Sequence, residues 1–249
     1  MSGSFFELAL AIIPMVLAIT LHEAAHGYAA LAMGDDTAKN AGRLSLNPVR
    51  HVDPVGTVLL PGLLVLVQRV VFGGVGFVFG WAKPVPVAAW KFRDPRRGMM
   101  VVAAAGPAMN FFLAWVAALL MPRIRLVPGF DFLESMLVQH PVIGTFLFYF
   151  LLTNLVLGLF NLIPIPPLDG GRIAVGLLPR PLAIGWARLE RAGIVIVILV
   201  VFLLPRLFEE FGVQFDPVGS VLHTVLPWAM RLMLSLAGHN LGTGHATIF

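Results

Sequence analysis

The chain has 249 residues, 58% of them hydrophobic and 12% charged, with a mean hydropathy of +0.89. A soluble domain carries about twice that charged fraction, so a soluble globular protein is excluded and an all-α polytopic membrane protein is expected. The absence of cysteine excludes disulfides and cysteine-ligated metals. The net charge of +4 reads as loop basicity in a membrane protein, with no nucleic-acid partner.

About six apolar segments follow one another. The first runs from about Phe5 to Met33. It has no Lys or Arg before its apolar part, and cleavage beyond it would fall near a metal-type motif, so it is not read as a signal peptide. "GDDTAKN" stops it, and "AGRLSLNPVRHVDPVG" is a polar, Pro- and Gly-punctuated connection with short strand character at "RLSL". Thr57 to Phe79 is apolar but broken by Pro61-Gly62, Gln68-Arg69 and "FGGVGFVFG". "GWAKPVPVAAW" is extended by its prolines. Met99 to Met121 and Pro141 to about Ile163 read as clean spans, separated by the loop "PRIRLVPGFDFLESMLVQH". Residues 183–204 read as a helix with a polar first half, and Val218 to Leu236 as the last apolar segment before a short tail.

No loop approaches domain size, so residues 1–249 form one membrane-embedded unit. It has a motif-bearing core (about 5–180), C-terminal helices (about 181–237) and a tail (238–249). Placing the loop after Met33 in the cytoplasm puts the stretches Lys39 to Arg50, Lys83 to Arg97 and Arg172 to Arg191 inside, and Arg123, Arg125 and Arg206 outside. That partition requires Thr57 to Phe79 to return to its starting side, so a re-entrant hairpin is expected, with Arg69 at its tip or snorkelling to an interface.

Charge at membrane depth is expensive, and "AITLHEAAHGYAALAMG" carries His22, Glu23 and His26 inside the first span. On a helix, residues i and i+4 share a face, so both imidazoles reach one ion and Glu23 projects beside it. H-E-x-x-H thus supplies two zinc ligands and a general base. His26 lies eight residues before Gly34, about 12 Å at 1.5 Å per residue, which sets the site below the cytoplasmic surface but short of the bilayer centre. A catalytic zinc needs a third protein ligand. In "FNLIPIPPLDGGR", Pro164, Pro166 and Pro167 unwind the chain after a long span. Such a break can turn Asp169 toward the bundle, with Gly170 and Gly171 allowing a tight turn after it. The competing reading is that Asp169 merely caps the next helix.

HEAAH in one span, "AAGPAMN" opening another and "NLIPIPPLDGG" ending a third resemble the site-2 protease family of intramembrane zinc metalloproteases (peptidase family M50). "GDDTAKNAGRLSLNPVRHVDPVGT" and "FGWAKPVPV" resemble its compact branch, which lacks PDZ and CBS domains. The likeness covers about residues 15–180. It implies one Zn2+ per chain on His22, His26 and Asp169, with Glu23 as base. It also implies that Asn161 assists substrate or oxyanion binding. Asn161 amide donors suit that role, with a helix C-cap as the alternative. Asn110, in a small-residue stretch that packs closely, is expected to border the substrate region and to order the site rather than react. "FGWAKPVPV", with Lys83, Pro84, Val85 and Pro86, is similar to the family's extended segment. It would pair with unwound substrate by strand addition, or would simply flank the gate.

The expected function is an intramembrane zinc endopeptidase of the cell membrane, its site facing the cytoplasm, acting on transmembrane protein substrates. Homo-oligomerisation is left open. The alternative is a membrane metal transporter or metal sensor using the same cluster without need of Glu23 as a base, and a third class is an inactive client-binding protein. His51 and Asp53 in "RHVDP" are expected to stabilise a turn rather than bind a second metal, and His239 and His245 to be solvated.

Overall fold

The computed structural model describes residues 2–60, 82–124, 132–213 and 215–239, with a few isolated positions between them. The hairpin expected from Thr57 to Phe79 lies largely outside the described residues, as does His245. Helices α1 (Ser2–Ala32), α2 (Thr37–Asn40), α3 (Pro95–Leu120), α4 (Phe132–Gln139) and α5 (Pro141–Asn161) are followed by α6 (Asp169–Leu177), α7 (Arg180–Arg188), α8 (Gly193–Ile198), α9 (Leu204–Glu210) and α10 (Pro217–Leu236). Among the described residues there is no strand, and "RLSL" is irregular. The all-α expectation therefore holds, and the strand at 43–46 is corrected.

Three helices among the described residues are long and apolar enough to cross a membrane: Ala9–Ala32, Pro95–Leu120 and Pro141–Asn161. The expected single helix at 183–204 is instead two pieces, Arg180–Ala192 and Val195–Glu210, bent by 81°. Counting them as one broken span raises the number among the described residues to four, against about six apolar segments in the sequence. Polar "ARLERAG" is the physical reason for the break, because it cannot share the apolar surroundings of "IVIVILVVF".

Helix starts follow a repeated local rule. Asn47-Pro48, Asp53-Pro54, Asp94-Pro95 and Asp216-Pro217 each open a helical turn, and in each the Asx oxygen accepts from backbone N–H groups just inside. Proline at the first position forgoes an N–H that would have no partner there, and the carboxylate or amide satisfies the next ones. Asp53, with bonds of 2.9 and 2.7 Å from the Val55 and Gly56 N–H groups, is thus a cap. His51 is buried, with Nε2 donating to the Ser45 carbonyl.

α1 packs on α3 and α5, α6 lies on α3, and α10 covers α3 and α5. The apolar core sits at the end of the bundle formed by the C-terminal half of α3. It joins Ala114, Ala117, Ala118, Met136, Leu147, Leu151, Leu155, Met230 and Leu234. His239 ties the chain after α10 to this end. Its Nε2 bonds the Ala118 carbonyl at 2.7 Å and its ring meets Phe132 edge-on. The solvated tail histidine expected there is corrected: the Ala118 carbonyl at the end of α3 shares the Met121 N–H with Ala117, at a long 3.3 Å, and has a lone pair left for His239.

Candidate metal centre

The i, i+4 spacing on α1 does bring His22 and His26 onto one face, with Nε2 atoms 3.0 Å apart. Asp169 opens α6, and its Oδ2 stands 3.1 Å from Nε2 of His22 and 3.3 Å from Nε2 of His26. All three residues are buried. Asp169 is carried there by the break at 162–168, and α6 is pressed onto α3 so closely that a Cβ on Gly176 would fall 2.4 Å from Met100 Cβ. Gly170 and Gly171 do not make the expected turn. They lie within α6 without positive φ. What they permit is close backbone approach, since a Cβ on Gly170 would stand 2.3 Å from the Leu162 and Ile163 carbonyl oxygens.

The proton positions decide what this triangle is for. His26 Nδ1 lies 2.7 Å from the Val102 carbonyl, which can only accept, so Nδ1 carries the hydrogen and Nε2 presents a lone pair. His22 Nδ1 faces the Asn110 side-chain oxygen at 2.6 Å, with the same result. With both imidazoles neutral, as metal ligands must be, three acceptor atoms therefore converge with no hydrogen between them. Asp169 Oδ2 is a buried oxygen without a hydrogen-bond donor. Such a set is stable only around a cation. Ligands about 2.0–2.1 Å from a tetrahedral zinc stand about 3.3 Å from one another, which matches the separations here. The residues fit the ion.

Glu23 sits next to this triangle, half-buried, and with both histidines forms a group whose ligand atoms lie within 4.8 Å of one another. Its Oε2 accepts from the Val85 N–H at 3.1 Å. The extended segment 82–88 therefore runs past the site. Val85 is buried over Gly27, while Lys83 and Pro84 are exposed. As an edge for strand addition it is poor in donors. Pro84 and Pro86 have none, Lys83 N–H goes to the His51 carbonyl, and Ala88 N–H goes to Asp35 at 2.6 Å. Asp35 is fully buried. Burial opposes its charge, but bonds from Thr37, the Ala88 N–H and Lys91 outweigh that and hold its carboxyl below the usual value.

Asn110 does not border an open substrate region. It is fully buried behind His22, and both ends of its amide are engaged, by His22 and by Asn154 at 2.9 Å. Asn161 is the last residue of α5, and its amide donates to the Leu157 carbonyl at 3.1 Å. Among the described residues it touches none of the three candidate ligands. Sequence reasoning passed over three contributors. Gly106 cradles the imidazoles, and a Cβ there would lie 2.5 Å from His22 Cε1 and from His26 Cε1 and Nε2. Asn154 could have been noticed as a lone amide in an apolar helix. Asp35 looked like part of a polar stop.

Helices of membrane-spanning length that bury two histidines and one carboxylate able to hold a cation, beside a glutamate, have the make-up of a membrane metalloenzyme. A family model for peptidase family M50 matches residues 10–205. The chain is 39% identical over 194 residues to "Putative zinc metalloprotease YwhC" of Bacillus subtilis, covering 78% of this chain and 80% of that one. It is 32% identical over 208 residues to "Putative zinc metalloprotease Rip2" of Mycolicibacterium smegmatis, covering 83% and 72%. No solved structure matches. The chain belongs to peptidase family M50, the site-2 protease family, and is a zinc metalloendopeptidase.

Proposed function

We propose that this protein hydrolyses peptide bonds within or beside transmembrane segments of membrane-protein substrates, in the cell membrane, with its site open toward the cytoplasm. His22, His26 and Asp169 hold one zinc per chain, and Glu23 is the general base. The observation that carries this reading is the convergence of two imidazole Nε2 atoms and one carboxylate oxygen, all on buried residues and 3.0 to 3.3 Å apart, beside the Glu23 carboxylate.

When bound, zinc lowers the pKa of a water to about 7 and polarises a carbonyl. Glu23 takes the proton that water gives up as its oxygen bonds the carbonyl carbon. It then delivers that proton to the amide nitrogen as the C–N bond breaks, so water is divided between the two products. The bond from Val85 N–H orients the carboxylate for both steps. Asn161 spends one amide hydrogen on Leu157 and keeps the second for a developing oxyanion. A helical peptide bond is shielded by its own hydrogen bonds, so substrate must unwind before its carbonyl is attacked. The carbonyls of residues 84–86 then suit the unpaired N–H groups of an unwound strand. The basic stretches Lys39 to Arg50 and Lys83 to Arg97 flank this end of the bundle, which supports a cytoplasmic orientation.

The test is cleavage of a tagged transmembrane reporter by purified protein in detergent, wild type beside Glu23→Gln, each with and without a zinc chelator. Loss of cleavage in the mutant and in chelated wild type is expected, with stoichiometric zinc retained by Glu23→Gln. Cleavage by the mutant would remove Glu23 as base. Stoichiometric zinc with no cleavage of any membrane reporter would return the protein to the metal-carrying class.

A further inference from the structure

We propose that Asn154 is a positioning residue that sets the tautomer of His22 through Asn110, so that a backbone carbonyl on α5 dictates which imidazole nitrogen is offered to the metal on α1. The inference rests on the reading of His22 as a zinc ligand.

The argument is one of polarity. The Phe150 carbonyl can only accept, and it lies 2.8 Å from one end of the Asn154 amide, so that end is the NH2. The other end is therefore the oxygen, and it faces Asn110 at 2.9 Å. Asn110 must present its own NH2 there, which turns its oxygen toward His22 at 2.6 Å. His22 must then carry its proton on Nδ1, leaving the Nε2 lone pair toward His26 and Asp169. No link in this chain can be reversed without setting two oxygens or two hydrogens against each other. Both asparagines are fully buried, so water offers no substitute partner.

The two ligand histidines are thus fixed by different means. His26 meets a backbone carbonyl directly, whereas His22 reaches one through two side-chain amides that cross three helices. An amide can rotate by half a turn and exchange its donor and acceptor, and a carbonyl cannot. Without Asn154, nothing else on this path would hold the Asn110 oxygen toward His22. Partners behind a metal ligand fix its ring and tautomer, and their loss commonly weakens metal affinity about 10- to 100-fold.

Two measurements test this. The first is 15N spectroscopy of histidine-labelled wild-type protein in detergent, with and without zinc. His22 Nδ1 should carry the hydrogen in both states, and a metal-free wild type with His22 protonated on Nε2 alone would overturn the proposal whatever the variants do. The second is zinc affinity by chelator competition for Asn154→Leu and Asn154→Asp. Leucine keeps the branched shape but removes both polar ends, and affinity should fall about 10- to 100-fold. Aspartate, protonated at this buried position, donates its hydroxyl to the Phe150 carbonyl and presents its other oxygen to the Asn110 NH2, so its affinity should stay near wild type. Equal losses in both variants would indicate mere structural damage, and an unchanged Asn154→Leu would show that Asn110 needs no support. Either result overturns the proposal. If Asn154→Leu fails to fold, a weakened Asn154→Asp has the same meaning. A wild type that binds no zinc would sink the ligand reading, while the spectra would still judge the relay.

Discussion

The two ends of α3 are built on opposite principles. Its C-terminal half meets α4, α5 and α10 through aliphatic side chains and methionine that interlock with one another. Its N-terminal half meets the site through missing side chains. Gly98 lies against Phe92, Gly106 against the two histidines, and Met100 against Gly176 of α6, each with room for no more than a hydrogen. The apolar end can lose atoms by degrees, because the loss is a sum of contacts and cavity. The site end cannot gain atoms at all, since the clash falls on the two histidines proposed to hold the zinc, whose nitrogens would have to stay within tenths of an ångström. Packing for stability and packing for position are thus separated along one helix.

The largest effect expected along this divide is on activity. Glu23→Gln should lower cleavage by a factor of at least about 10²–10⁴, the usual worth of general acid–base catalysis, with zinc and fold unchanged. Next comes Gly106→Ala. Helix propensity favours alanine there by about 1 kcal/mol, yet its methyl would stand 2.5 Å from both imidazoles. Zinc content of the purified variant should fall close to zero, and stoichiometric zinc would refute the separation. Leu151→Ala at the apolar end should cost about 2–5 kcal/mol of stability. It should leave zinc per folded molecule intact, as read by thermal unfolding beside metal analysis.

Asp35→Ala should be milder and local. It leaves the Ala88 and Thr37 N–H groups short of an acceptor, at about 1–3 kcal/mol for each one kept from water. Amide exchange at Ala88 should quicken. Acid should do the same to wild type. The folded-state pKa of Asp35 is depressed, so its contribution is present above its unfolded value, about 3.9, and is lost as pH falls through the lower folded value. Exchange at Ala88 that is unaffected by either change would mean that Asp35 does not hold the segment. The smallest effect belongs to Gly185→Ala on α7, where nothing lies within 4 Å. There the gain of up to about 1 kcal/mol in helix propensity should appear undiminished in the melting temperature.

Much of the site was legible in the chain because its signals are local. His22, Glu23 and His26 share one helix, so their spacing alone placed them together. Asp169 required a span, a proline break and a family likeness, and its position is then a matter of α6 being pressed onto α3. Asn161 shows where local reading ends. Its place at the close of a helix was visible, but its contacts are with its own helix. The helix at 183–204 was misjudged because hydropathy records where a segment is apolar and not whether it stays straight.

What the sequence by itself determined is chemical type: a membrane chain without cysteine, an H-E-x-x-H pair inside its first span, and a proline break that ends a later span just before Asp169. Those features depend on neighbours a few residues apart, and period and charge express them directly. What only the tertiary structure decided is orientation. Which face of Asn110 meets His22, why Gly106 cannot carry a methyl, and how Val85 comes to hold Glu23 depend on helices brought side by side. Residues far apart in the chain carry no shared spacing from which such a contact can be read.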